Sequence, residues 1–127
     1  EFVLGCYPDR GNFIAFVSNL GSRRALREVV AAFRAHSDYT AESLASPAFG
    51  PGVAWSAQLS FWRQGYPAVM VTDTAFYRSP FYHTPLDTPE KLRYPKMARV
   101  AEGIAKTIGA LAGGARANWC AAATLIS

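Results

Sequence analysis

Residues 65–92 read GYPAVMVTDTAFYRSPFYHTPLDTPEKL, and the change of texture along them decides the reading of the whole chain. Val69, Met70 and Val71 follow Pro67 as a short continuous apolar run, the composition of a strand buried on both faces. Thr72, Asp73 and Thr74 close that strand at the end where open α/β sheets place their ligands. The next residues crowd Tyr77, Arg78, Tyr82, His83, Thr84 and Asp87 into one loop. Thr88-Pro89-Glu90 then opens a helix, with a hydroxyl at the cap, a proline in the first turn and an acid near the positive end of the dipole. Polar chemistry concentrated behind a buried strand is the pattern of an active-site loop.

The flanking sequence supplies elements for that strand to pack against. Asn12 to Asn19 carries the dense apolar run Phe13–Val17 and predicts a second strand. Ser22 is placed to cap a helix in which Leu26, Val29, Val30 and Phe33 share one face, with Arg23, Arg24, Arg27 and Glu28 outside. His36 lies just past that face near the helix C-terminus, the position of a surface cap rather than a ligand. Ser37 to Gly52 shifts to Ser, Ala, Pro and Gly, a long loop within which Ala41 to Leu44 adds an edge strand. Ser56 to Gln64 reads as a short helix with Leu59, Phe61 and Trp62 inward and Gly65 ending it. Trp55, Phe61, Trp62 and Tyr66 suit a substrate pocket or, more simply, a core. From Tyr94 to Leu111, Met97, Val100, Ala101, Ile104, Ile108 and Leu111 form an apolar stripe opposite Lys96, Arg99, Glu102 and Lys106, stopped by Gly113-Gly114. The sum is an α/β domain over residues 1–114, a small mostly parallel sheet with flanking helices, followed by an unmatched tail at 115–127.

Composition narrows the function classes. With 127 residues the chain is one domain, and half of them are apolar, enough to fold. The net charge of +4 is spread as scattered arginines without a basic run, which argues for a solvated surface and against nucleic acid. No segment is long enough to span a membrane, and no signal peptide opens the chain. The first residue is Glu1 rather than Met, the mark of a cut chain. Cys6 and Cys120 are far apart and leave the redox compartment open.

The 65–92 segment resembles the last ligand loop of the zinc-dependent aminopeptidases with two metal ions, the clan that also holds the glutaminyl cyclases. The resemblance extends more loosely from Asn12 to Gly109 and implies a zinc-exopeptidase fold, of which this chain matches the C-terminal half. In that family a Tyr-His-Thr followed by Asp-Thr supplies the final zinc ligand, which is His83 here, and the preceding Tyr82 hydrogen-bonds the tetrahedral intermediate in some members. Asp73 and Asp87 are nearby carboxylates able to orient His83. The implied activity is hydrolytic release of N-terminal residues from peptides.

The ligand count falls short of that activity. The family's His-x-Asp and Glu-Glu pairs are missing, and Glu1 stands four rather than three residues before Gly5, one place early for the later acidic ligand. Where relatives carry Ser-Asp-His before Phe-Trp, this chain has Ser56-Ala57-Gln58, which removes a charge and a proton carrier. Zinc is therefore expected with an incomplete site. Two alternatives stay open. One is a metal-independent esterase using His83 with Asp73 or Asp87 and Ser56, Ser60 or Ser79; the other is a non-catalytic interaction module. A half-domain also leaves strand edges and helix faces without cover, which predicts a homo-oligomer.

Overall fold

The structure is a computed structural model that describes residues 11–47, 56–113 and 125–126. Its centre is β1, Phe13–Ser18, in which all six residues are buried. The run of consecutive apolar side chains has no polar alternation, so the strand needs cover on both faces and takes a central place. The segment then turns through Asn19, whose side-chain oxygen accepts the Ser22 N–H at 2.8 Å, and enters α1, Arg23–His36. Leu26, Val29, Val30 and Phe33 of α1 are buried as one face, as their spacing predicts. The chain returns along β2, Thr40–Ala45, parallel to β1 in the register Phe13↔Thr40 through Ser18↔Ala45. This completes a strand–helix–strand unit. Arg34 of α1 fastens the edge strand by donating to the Ala41 carbonyl at 2.6 Å.

After α2, Gln58–Arg63, the chain enters β3, Met70–Thr72, on the other side of β1. Here the expectation of a mostly parallel sheet is corrected. β3 runs antiparallel to β1, with Ala15↔Thr72, Phe16↔Val71 and Val17↔Met70 opposed, so the three-stranded sheet β2–β1–β3 is mixed. Strand composition marks burial, not direction; a buried strand reads the same whichever way it runs. A two-residue strand β4, Leu125–Ile126, adds to β3 in parallel and is the described part of the tail that sequence matching left unassigned. Glu1, Cys6, Trp55, Trp119 and Cys120 lie outside the described residues.

The two faces of the sheet are covered unequally. Ile14, Phe16, Val69 and Val71 meet α1 and the long helix in the main core, where the Phe16 and Phe33 rings lie 5.1 Å apart, tilted by 60°. Val17 and Met70 face the other way, under Leu44 and Trp62. Burying each such large apolar side chain stabilises by roughly 1.5–3 kcal/mol. The inward residue of α2 is not the apolar trio expected but Gln58, 1 % exposed, whose amide nitrogen donates to the Met70 sulfur at 3.4 Å. Leu59, Phe61 and Trp62 are only half-buried. Gly65 ends α2 as expected: at φ 79° it lets its own N–H reach the Trp62 carbonyl and the Tyr66 N–H reach that of Phe61, a Schellman closure.

Two caps differ from expectation. Ser22 makes no side-chain cap to α1; its buried hydroxyl instead accepts the Ala68 N–H at 3.2 Å, a bond across forty-six residues that seats β3 against the helix start. The helix predicted at Thr88-Pro89-Glu90 is one 3-10 turn, Pro89–Lys91, and the long helix α4 begins afresh at Tyr94, with Pro95 in its first turn. α4 runs to Gly113 and buries Val100, Gly103, Ile104 and Thr107, whereas Met97 and Ile108 of the expected stripe are 47 % and 48 % exposed.

Candidate functional site

β3 ends at Thr72, and the chain leaves the sheet through a tight bend. Asp73 accepts the Ala75 N–H at 2.9 Å, and Thr74 sits in the left-handed region at φ 67° with its N–H on the Thr72 hydroxyl at 3.0 Å. The left-handed residue is a threonine, disfavoured there by its β-branch, so neighbouring bonds must hold it. A single helical turn, α3 (Ala75–Arg78), follows. Arg78 lays its guanidinium over the Phe13 ring, 4.8 Å from the centroid, which folds the loop back onto the start of β1.

The loop then builds a compact turn around His83. Tyr82 N–H donates to the Ser79 carbonyl at 3.3 Å. Thr84 is the hub: its N–H and hydroxyl both donate to the Phe81 carbonyl, at 2.9 and 2.6 Å, while its own carbonyl accepts the Asp87 N–H at 3.0 Å. At the apex His83 is left-handed, φ 57°, with an exposed imidazole stacked on the Tyr82 ring at 4.0 Å and 13° between planes. Lys91 reaches back from the 3-10 turn, its ammonium 3.4 Å from the Phe81 ring centroid and bonded to the Leu86 carbonyl. Thr88 serves Glu90 rather than the backbone: its hydroxyl on the carboxylate is the main cause that holds Glu90 below its usual pKa.

The structure therefore brings Tyr82 and His83 together, and among the described residues neither carboxylate bonds to the His83 ring. Asp73 and Asp87 are exposed, Asp73 is engaged by the Ala75 N–H, and among the described residues neither is hydrogen-bonded or paired to His83. Ser79 uses its hydroxyl to accept the Phe81 N–H at 3.3 Å. His36 donates from Nδ1 to the Ala32 carbonyl at 2.8 Å, closing the last turn of α1 as a cap. Sequence reasoning gave Lys91 no role, because a single lysine beyond a helix start carries no signal of what it folds back onto.

For a metal the chemistry is one imidazole deep. Among the described residues no three His, Cys, Asp or Glu side chains converge, so these residues do not by themselves fit a zinc site, which needs three protein ligands and a water. An exposed imidazole without a carboxylate partner nonetheless has the chemistry of one ligand.

No family model matches the chain, and no solved structure matches it. It is similar to the uncharacterized protein YfbL of Escherichia coli (strain K12), with 46 % identity over 98 residues, 77 % of this chain. The matched part is 30 % of that relative's length, so the chain corresponds to less than a third of a longer protein whose printed name assigns no activity.

Proposed function

We propose that this chain is the portion of a metal-dependent, aminopeptidase-type hydrolase that presents a final histidine ligand, His83, with Tyr82 as a hydroxyl donor beside it. The observation that carries the reading is the presentation of His83. Its ring is exposed at the apex of a hydrogen-bonded turn hung from the end of a buried strand, in a left-handed conformation that the surrounding bonds hold. His36, by contrast, spends its Nδ1 on the Ala32 carbonyl. A complete site would need further ligands from outside the described residues. Zinc held there by His83 and further ligands would supply a Lewis acid and an activated water. The residues seen here orient and donate: His83 offers a ring nitrogen, and Tyr82 lies parallel to it. Peptide or small ester is the substrate class, with hydrolysis the reaction.

Zinc content tests this directly, measured by elemental analysis on protein stripped with chelator and reconstituted, in the wild type and in His83→Ala. The wild-type protein is expected to hold zinc that His83→Ala loses, together with hydrolysis of aminoacyl substrates. Absence of zinc from the wild type would retire the reading.

The non-catalytic alternative is favoured by one observation, Gln58. A neutral amide is buried against Met70 where the resembled family carries an imidazole. In this reading the domain binds and does not turn over, and zinc retained without hydrolysis of any aminoacyl or ester substrate distinguishes it. The esterase reading draws no comparable support, since among the described residues no serine or carboxylate is hydrogen-bonded to His83.

A further inference from the structure

α4 is apolar on two sides, and among the described residues one of them is covered. Val100, Gly103, Ile104 and Thr107 bury against α1 and the main core. At about 100° per residue, the neighbouring strip round the helix carries Tyr94, Met97, Ala101, Ala105, Ile108 and Ala112. All six are exposed, and the three large ones, Tyr94, Met97 and Ile108, leave about half of their surface in water. Arg99, Glu102 and Lys106 take the outer side. A helix with a single buried face carries polar residues on the rest of its circumference. This one does not.

The strip is also symmetric about its own midpoint. Tyr94 with Ala112, Ala101 with Ala105, and Met97 with Ile108 are three pairs, each centred at Gly103 or half a residue before it. We propose that the occupant of the strip is a second copy of this chain, packed α4 on α4, antiparallel, about a two-fold axis beside Gly103. A two-fold contact needs this symmetry, because whatever one copy sets against the other it must also receive. An unrelated partner gives no reason for it. In the pair, each Tyr94 ring covers the other copy's Ala112. Ala101 and Ala105 meet in the middle, where their small side chains let the helix axes approach to about 8 Å. Met97 and Ile108 stand about 20° apart round the helix, so they share one flank and each packs on the other copy's counterpart. On the outer flank Glu102 and Lys106 are paired at 2.6 Å within one helix, so the rim where the copies approach is balanced in charge. The contact runs about 27 Å along one helix pair. That is less than the roughly 1,600 Å² of a standard interface, which sets a weak dimer with a dissociation constant above about 1 μM. The inference is independent of the zinc reading.

Sedimentation equilibrium of the full chain tests it. Wild type is expected at the 13.8 kDa of one chain when dilute, moving towards twice that mass by about 0.5 mM. Ile108→Lys changes an exposed residue, so the dilute protein should keep its thermal midpoint. Its association should weaken at least about tenfold, because the contact would then bury an unpaired charge. Met97→Glu should behave alike. The double variant, Met97→Glu with Ile108→Lys, reads the register. Each new acid then meets a new base on the other copy, whereas within one helix the two positions lie about 16 Å apart, out of reach. Association of the double variant should recover at low salt and fade by about 1 M salt. Wild type that stays at monomer mass up to about 1 mM overturns the proposal and leaves the strip to a different molecule. Equal association of Ile108→Lys and wild type overturns it as well, since the copies would then meet elsewhere, with the edge strand β2 the first alternative. A double variant no tighter than either single one refutes the two-fold arrangement.

Discussion

Gly103→Ala puts the packing of α4 on α1 to a quantitative test. A methyl built on Gly103 would lie 2.7 Å from Cε2 of Phe33 and 2.8 Å from both Cβ and Oγ of Ser37. Two effects compete. Replacing glycine by alanine inside a helix stabilises by about 1 kcal/mol through helix propensity. Forcing a methyl into a filled contact costs about 1–3 kcal/mol. The decision lies with Phe33, which is fully buried and packed against the Phe16 ring, so its edge has nowhere to swing. The clash wins, and a net loss of up to about 2 kcal/mol is expected. Gly109 is the internal control: it lies in the same helix with nothing within 4 Å of an added methyl, so Gly109→Ala should gain up to about 1 kcal/mol. Urea unfolding read at constant m gives both numbers. Phe33→Leu combined with Gly103→Ala should recover part of the loss by removing the ring edge, a coupling that a double-mutant cycle isolates. If Gly103→Ala is as stabilising as Gly109→Ala, α4 does not pack on α1 as described.

Ser22→Ala removes the acceptor of the buried Ala68 N–H and should cost about 1–3 kcal/mol in the same unfolding assay, although Ser22 makes no helix cap of its own. Asp38 is held below its usual pKa by its hydrogen bond from Arg99, 2.8 Å away, and by that cation's charge. Its folded value lies below its unfolded one, so the pair's contribution is present above the ordinary carboxylate range and fades as pH falls through the lowered value. The thermal midpoint of Arg99→Gln should therefore converge on that of the wild type towards acid, and the difference above it should shrink in salt because both side chains are exposed. His83→Ala, at an exposed position where among the described residues a ring stack on Tyr82 is lost, should change stability by less than about 0.5 kcal/mol while abolishing any zinc uptake.

What could be read in the sequence followed burial. Phe13–Val17 and Val69–Val71 announce strands because consecutive apolar residues of that length have few other uses, and α1 announces itself through Leu26, Val29, Val30 and Phe33. α4 was half legible. Counting apolar residues picked Met97 and Ile108, but the helix lies so close to α1 that its contact line runs through Gly103 and Thr107, small residues that no hydrophobic pattern rewards. Thr107 joins that line by returning its hydroxyl to the Gly103 carbonyl at 2.7 Å. The direction of β3 was not legible, since nothing in three buried residues states which way they run. At the candidate site the residue type and its loop were readable, whereas the company His83 keeps was not. Whether Asp73 turns towards an imidazole or towards the Ala75 N–H is settled by a local bend, and that bend depends on Thr74 taking a conformation a threonine rarely takes.

The antiparallel seam between β1 and β3 has a consequence for how the molecule assembles. β1, α1 and β2 are contiguous, and their pairing closes a short loop through a helix that forms locally. Bringing Val17 opposite Met70 instead requires roughly fifty residues of intervening chain to be gathered, a slower event with a larger entropic toll before any contact repays it. The His83 turn hangs from the far end of that late strand. The bonds within the His83 turn are local, but its placement against the sheet waits on that long-range pairing.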